Sequence, residues 1–256
     1  MPTLAEYKMQ EPDDNQVEEL KTSEETEENE IEEVEDLGVD VPDIPLPSFE
    51  DAAESQIEDE FTGAYKFAVV GVGQGGSRLA ETFWKLGYRR VAVINTAPQD
   101  LKPIALPEKH KLLIGGSGAG KDRKKAQALF EEHREDVLDF LKSTFQTGVD
   151  RILVCIGAGG GTGAGGGPIV VDICHDLCKT IGAETDITDA KVGVVLALPS
   201  KSEGSRVKSN AKETAQVLIE RCGEGTLSPL IILDNERIRH LYPKLSVNKF
   251  WHTANT

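Results

Sequence analysis

The 256-residue chain holds 44 acidic and 28 basic residues, a net charge of −16, with the imbalance confined to one end. Residues 1–60 contain 23 Asp and Glu against Lys8 and Lys21, a net of −21 that leaves +5 for the other 196 residues, so nucleic acid is excluded as a partner of that segment and a basic partner suits it. Four cysteines make no disulfide framework in a chain this long, no run of about eighteen apolar residues can span a bilayer, and the N-terminus lacks the basic-then-apolar layout of a signal peptide; a reduced, cytoplasmic protein is expected.

The acidic segment has few large apolar residues and closes on Val41-Pro42-Asp43-Ile44-Pro45-Leu46-Pro47. It buries too little to offset its chain entropy, so residues 1–60 are expected to form a disordered tail, with a short helix around Asn15–Asp36 as the local alternative. From residue 61 the pattern becomes an alternation of short apolar runs and amphipathic stretches. Strands are expected at Tyr65–Val70, Arg90–Ile94, Lys111–Ile114, Arg151–Ile156, Val192–Leu198 and Pro229–Leu233. Helices are expected at Ser77–Leu86, Arg123–Thr147, Pro168–Ile181 and Ser205–Cys222. Such alternation predicts one α/β domain over 61–256. Its parallel sheet would carry helices on both faces and gather its ligand loops at the carboxyl ends of the strands. Cys174, His175 and Cys178 fall at helical spacing among apolar residues, with no second ligand pair, and read as buried helix residues with no metal.

Four loops carry most of the chemistry. Gly71-Val72-Gly73-Gln74-Gly75-Gly76 follows the first strand with the spacing of a dinucleotide fingerprint. A nicotinamide or flavin site would also place Asp or Glu at the end of the second strand, to hold ribose hydroxyls; this strand ends in Asn95-Thr96. Gly115-Gly116-Ser117-Gly118-Ala119-Gly120-Lys121 satisfies the glycine and lysine spacing of a Walker A loop, yet Asp122 stands where that loop needs a hydroxyl for magnesium. The longest glycine run, Gly157 to Pro168, joins the apolar strand Arg151–Ile156 to an apolar helix. Glycines there let backbone N–H groups approach an anion, and a helix N-terminus adds partial positive charge. Thr162, the one hydroxyl of that loop, is placed to donate to a phosphate oxygen. In the fourth loop, Leu198 to Arg206, Glu203 also suits an exposed helix start.

Gly159-Gly160-Gly161-Thr162-Gly163-Ala164-Gly165 resembles the signature loop GGGTG(T/S)G of the tubulin/FtsZ family, with Ala164 in place of the usual hydroxyl residue. The first loop resembles the family's GVGGGGGN, with Gln74 for a glycine and Arg78 for the asparagine. Asn95-Thr96-Ala97-Pro98-Gln99 keeps three residues of Asn-Thr-Asp-Ala-Gln, and Gly116 to Asp122 follows Gly-Leu-Gly-Ala-Gly-Gly-Asn. Glu203-Gly204 matches a Glu-Gly pair, though Arg206 comes one residue early for the arginine that follows it. Asn235 fits an asparagine after the last strand; Trp251 and Asn255, with a one-residue gap, resemble the aromatic and asparagine that open the family's central helix.

The resemblance implies a Rossmann-like domain binding GTP or GDP, with Mg2+ accompanying GTP. Gly73, Gln74, Gly75, Gly76, Ser77 and Arg78, with Gly159, Gly160, Gly161, Thr162 and Gly163, would hold phosphates, and Gly118, Ala119 and Gly120 would meet the γ-phosphate. Asn95 keeps a matched position at the site, Arg206 would lie near phosphate, Glu203 would touch ribose, Asn235 and Asn255 the base, and Trp251 would stack on it. Lys121 would be either an added cationic contact or a solvated lysine. Family members assemble head to tail, and each site is completed by an acidic loop of the next subunit. The sequence stops at Thr256, inside the expected central helix and before that loop, so no catalytic residue is assigned and binding with slow turnover is expected.

Overall fold

In the computed structural model, residues 66–146, 148–181 and 191–243 are described. They belong to the larger of two units, Ser48–Thr256; the other, Met1–Pro47, lies outside the described residues, as do the expected acidic tail and the stretch with Trp251 and Asn255.

Six strands form one parallel sheet in the order β3-β2-β1-β4-β5-β6. They are β1 Phe67–Val72, β2 Val91–Asn95, β3 Lys111–Leu113, β4 Arg151–Gly157, β5 Val192–Leu198 and β6 Leu230–Asp234. The helices between them are α1 Gly73–Lys85, α2 Pro98–Leu101, α3 Arg123–Glu132, α4 Arg134–Phe145, α5 Gly161–Ile181, α6 Ser205–Gly223 and α7 Asn235–Leu241. Alternate strand residues point to opposite faces, as the pleat requires. Val70, Ile94, Val154 and Leu196 pack with Phe130 of α3, Leu141 of α4, Ile173 of α5 and Leu218 of α6. On the other face Val69, Val93, Cys155 and Val195 meet Leu79 and Ala80 of α1, Leu101 of α2 and the Ile104–Leu106 segment. β6, at the sheet's edge, stays half open, with Ile231 and Ile232 exposed by 44% and 48%. The chain reverses its direction of travel across the sheet between β1 and β4, which opens a crevice at their carboxyl ends.

Three helix boundaries differ from expectation. The stretch 123–147 is two helices, because His133 leaves helical torsions at φ −101°, ψ 24°. The restart puts Glu135 and Asp136 in a first turn, where the helix dipole favours negative charge. α1 begins at Gly73, not Ser77, and α5 at Gly161, not Pro168, so both glycine loops are largely the first turns of helices. Proximity explains the second case. A Cβ on Gly166 would strike the ring of Phe130, and one on Gly163 would stand 2.6 Å from the carbonyl of Gly157. Glycine thus lets α5 lie against α3 and β4, and that packing outweighs glycine's weak helix propensity.

Pro168 sits inside α5, where its missing N–H leaves the carbonyl of Ala164 without the usual donor. The buried hydroxyl of Thr214 on α6 takes that role, donating to the Ala164 oxygen at 3.2 Å. Four residues on, Arg221 donates to the Pro168 oxygen at 2.8 Å and pairs with Asp172 at 2.9 Å. The helix therefore runs on through its proline.

Candidate functional site

A cleft of about 470 Å³ opens at the carboxyl edge of the sheet. Its wall is built from the segments that follow all six strands, and most of the expected site residues converge on it. Gly73, Gln74, Gly75 and Arg78 come from the start of α1, and Gly118, Ala119 and Gly120 from the loop after β3. Gly159, Gly160, Gly161, Thr162 and Gly163 come from the start of α5, Glu203 from the loop after β5, and Asn235 from the start of α7. The first loop touches the glycine run after β4: Gly73 has φ +71°, and a Cβ on it would stand 2.8 Å from the amide nitrogen of Gly163.

Four expected residues are not brought to the cleft wall. Gly76 packs against the backbone of Cys155, where a Cβ would overlap the Cys155 carbonyl. Ser77 is fully buried behind the loop, and its hydroxyl has no partner among the described residues. Asn95 is equally buried; its Oδ1 accepts from the N–H groups of Thr96 at 2.8 Å and Ala97 at 3.3 Å, which shapes the end of β2. Arg206 turns to Asp122, with 3.3 Å between guanidinium and carboxylate. Trp251 and Asn255 lie outside the described residues.

The loops are tied to each other by buried polar groups, of which the sequence pointed to Thr162 but not to Asn210. Asn210 on α6, 7% exposed, donates from Nδ2 toward the carbonyls of Lys121 at 3.1 Å, Gly159 at 3.3 Å and Gly160 at 3.4 Å. The hydroxyls of Thr96 and Thr162 lie 2.7 Å apart, and the Gly118 N–H donates to the Thr96 carbonyl at 2.8 Å. Thr162 is thus engaged with Thr96, and one hydroxyl hydrogen of the pair remains for another acceptor. Burying such groups unpaired is expensive, so the network sets the spacing of the loops. One signal was available: Val207, Asn210, Ala211, Thr214 and Leu218 form the buried stripe of α6, and an asparagine on such a stripe needs partners. Gln99, Asp100 and Lys121 also line the cleft.

The electrostatics disfavour the other two nucleotide-site types. Asp122 caps α3, accepting from the Lys125 N–H at 3.1 Å. That N–H first, then Arg206, holds its carboxyl below the ordinary value against the opposing effect of burial. It therefore acts as a helix cap and does not stand in for the magnesium hydroxyl of a Walker A loop. At the end of β2, Asn95 spends its oxygen on its own backbone, so no carboxylate awaits ribose there. Glu203 accepts from the Ser200 N–H at 2.9 Å and Glu236 from the Lys201 N–H at 2.9 Å, which fixes the loop after β5. Asp234 accepts from the N–H groups of Glu236 and Arg237, capping α7 and setting Asn235 at its first turn.

Gly160 borders open space: a Cβ there would meet no protein atom within 4 Å. Beside it the first N–H groups of α5 have no partner within their own helix, so an anion fits in front of them. Of the helix residues expected to be buried, Cys174 is fully so, while His175 and Cys178 are half-buried. Burial pushes Cys155 up to about 12 and Cys178 up to about 11, and Cys174 well above the ordinary value. Among the described residues no group of three or more His, Cys, Asp or Glu could hold a metal ion.

Sheet order, crevice and glycine-started helices define a doubly wound α/β domain with a cleft suited to an anionic ligand. The chain belongs to the tubulin/FtsZ family: the model of the Tubulin/FtsZ family, GTPase domain, matches residues 66–243. Cell division protein FtsZ 2 of Pyrococcus furiosus is 30% identical over 216 residues, which cover 80% of this chain and 49% of that protein. CetZ1 from Haloferax volcanii, solved as a GDP-bound monomer, matches with a TM-score of 0.62 at 27% identity, over 74% of this chain and 56% of that one. CetZ2 from the same organism, solved as a GTPγS-bound protofilament, matches with a TM-score of 0.59 at 26% identity, over 74% and 55%. The chain spans about half the length of the curated relatives it matches.

Proposed function

We propose that the cleft binds guanine nucleotide, GTP together with Mg2+ or GDP, as the nucleotide domain of a tubulin/FtsZ-type cytoskeletal GTPase. The observation that carries this is the convergence of the loops on the open space before Gly160, at the N-terminus of α5. Phosphates lie there; the nucleoside extends toward Glu203 and Asn235, where a carboxylate suits ribose hydroxyls and an amide suits the edge of a purine. Trp251 and Asn255 complete the base site on the family pattern. In a chain of the relatives' full length, subunits polymerise head to tail and hydrolysis is completed by the neighbour, a heterologous contact that propagates a filament.

Competition titration with GTP, ATP and NAD tests the assignment. GTP should bind at least about tenfold more tightly than ATP, because a site built to hydrogen-bond one purine edge leaves polar groups unpaired with the other. Equal affinities for GTP and ATP, or preference for NAD, would overturn it.

A further inference from the structure

Four charged side chains line the cleft: Arg78, Asp100, Lys121 and Glu203. Glu203 follows β5, at the Asn235 end, and its carboxylate repels phosphate. A phosphate chain starting at the N-terminus of α5 therefore runs the other way, toward the β3 edge, where Arg78 and Lys121 project. Asp100 lies on that side too, so an outermost phosphate placed there requires a counter-charge.

Lys121 is the group in position. It occupies the tight turn Ala119–Asp122, closed by the Asp122 N–H donating to the Ala119 carbonyl at 2.8 Å. Gly120 and Lys121 both take left-handed torsions in that turn, φ 58° and 60°. Such torsions are free for glycine and unfavourable for any residue with a Cβ. The Lys121 carbonyl is pinned by Asn210, so the strain is held in place. The side chain repays it with no internal contact: it is exposed, and among the described residues no hydrogen bond or ion pair engages its ammonium. Of the other cations, Arg78 stands on the α1 wall of the cleft, while three near Lys121 in the chain or in space are committed elsewhere. Lys125 holds the Gly118 carbonyl at 2.9 Å, Arg123 pairs with Glu213 at 3.4 Å and Arg206 with Asp122 at 3.3 Å.

Resting on the nucleotide assignment above, we propose that Lys121 is a specificity-determining residue whose ammonium binds the outermost phosphate, so that the cleft prefers a nucleoside triphosphate over the diphosphate even without a divalent cation. The test is titration of the 256-residue chain with GTPγS and GDP in EDTA at low salt, for wild type, Lys121→Gly and Lys121→Arg. Wild type should favour GTPγS about tenfold, the worth of one charged hydrogen bond. Lys121→Gly should lose that preference while binding GDP within about twofold of wild type, and should melt no lower, since glycine accepts the left-handed torsion. Lys121→Arg should keep the preference. A preference that survives in Lys121→Gly, an equal loss for both nucleotides, or no preference in wild type overturns the proposal. Failure of wild type to bind either nucleotide would instead overturn the assignment of the cleft itself, and the proposal with it.

Discussion

Adjacent glycines in the loop after β4 separate ligand binding from folding. A Cβ on Gly160 meets nothing within 4 Å, whereas one on Gly161 would lie 2.8 Å from the Ala119 Cβ, 2.9 Å from the Asp122 nitrogen and 3.0 Å from the Lys121 Cα. Gly160→Val therefore places its side chain in the cleft alone. Its effect on stability should be at most about 1 kcal/mol, arising from a poorer residue before a helix start. Gly161→Val pushes on backbone that cannot move without displacing the loop after β3, and should cost about 1–3 kcal/mol. For the ligand, a valine at Gly160 displaces phosphate from the α5 N-terminus. Losing two charge-assisted N–H bonds at about 1.5–3 kcal/mol each weakens binding by about two to four orders of magnitude. Calorimetric titration with GDP, alongside urea unfolding, reads both quantities. A folded Gly160→Val protein with wild-type GDP affinity would refute the placement of phosphate at this helix end.

Two further outcomes concern stability. Thr214→Val should cost about 1–3 kcal/mol in urea unfolding, because the Ala164 carbonyl loses its donor, and Pro168→Ala in the same background should recover part of that by restoring a helical N–H; a Thr214→Val protein as stable as wild type would show that the carbonyl needs no donor. Asp122 has a depressed folded value, so its stabilisation is fully present above the ordinary carboxylate value and is lost as pH falls through the folded one; Asp122→Asn should flatten that acid limb of the unfolding profile, and an unchanged limb would remove Asp122 from the account.

The order of strands and the loops that follow them were legible because each is a local pattern: an apolar run, then glycine. Helix starts were not. Pro168 looked like a first-turn proline, and glycines looked like loop, since propensity knows nothing of Phe130 standing across from Gly166 or of Thr214 serving Ala164. The side chains that hold the loops together were equally hidden. Asn210 is a single polar residue in an unremarkable stretch, Thr96 stood in a matched motif that gave it no role, and their partners lie tens of residues away. The resemblance put Arg206 near phosphate although it comes one residue early for the family spacing, and its guanidinium reaches Asp122. Asn95 matched its motif, yet its oxygen serves the turn after β2.

The Asn210 amide has consequences for how the cleft rim deforms. One Nδ2 carries two hydrogens and faces three carbonyl oxygens from two loops at 3.1, 3.3 and 3.4 Å. The oxygens compete for too few protons, so a shift of Lys121 that tightens one bond loosens those to Gly159 and Gly160. α6, which carries the amide, is coupled in turn to α5 through Thr214 and Arg221. The two loops and two helices share a single set of hydrogen-bond lengths, and displacement of any one member is transmitted to the rest as strain.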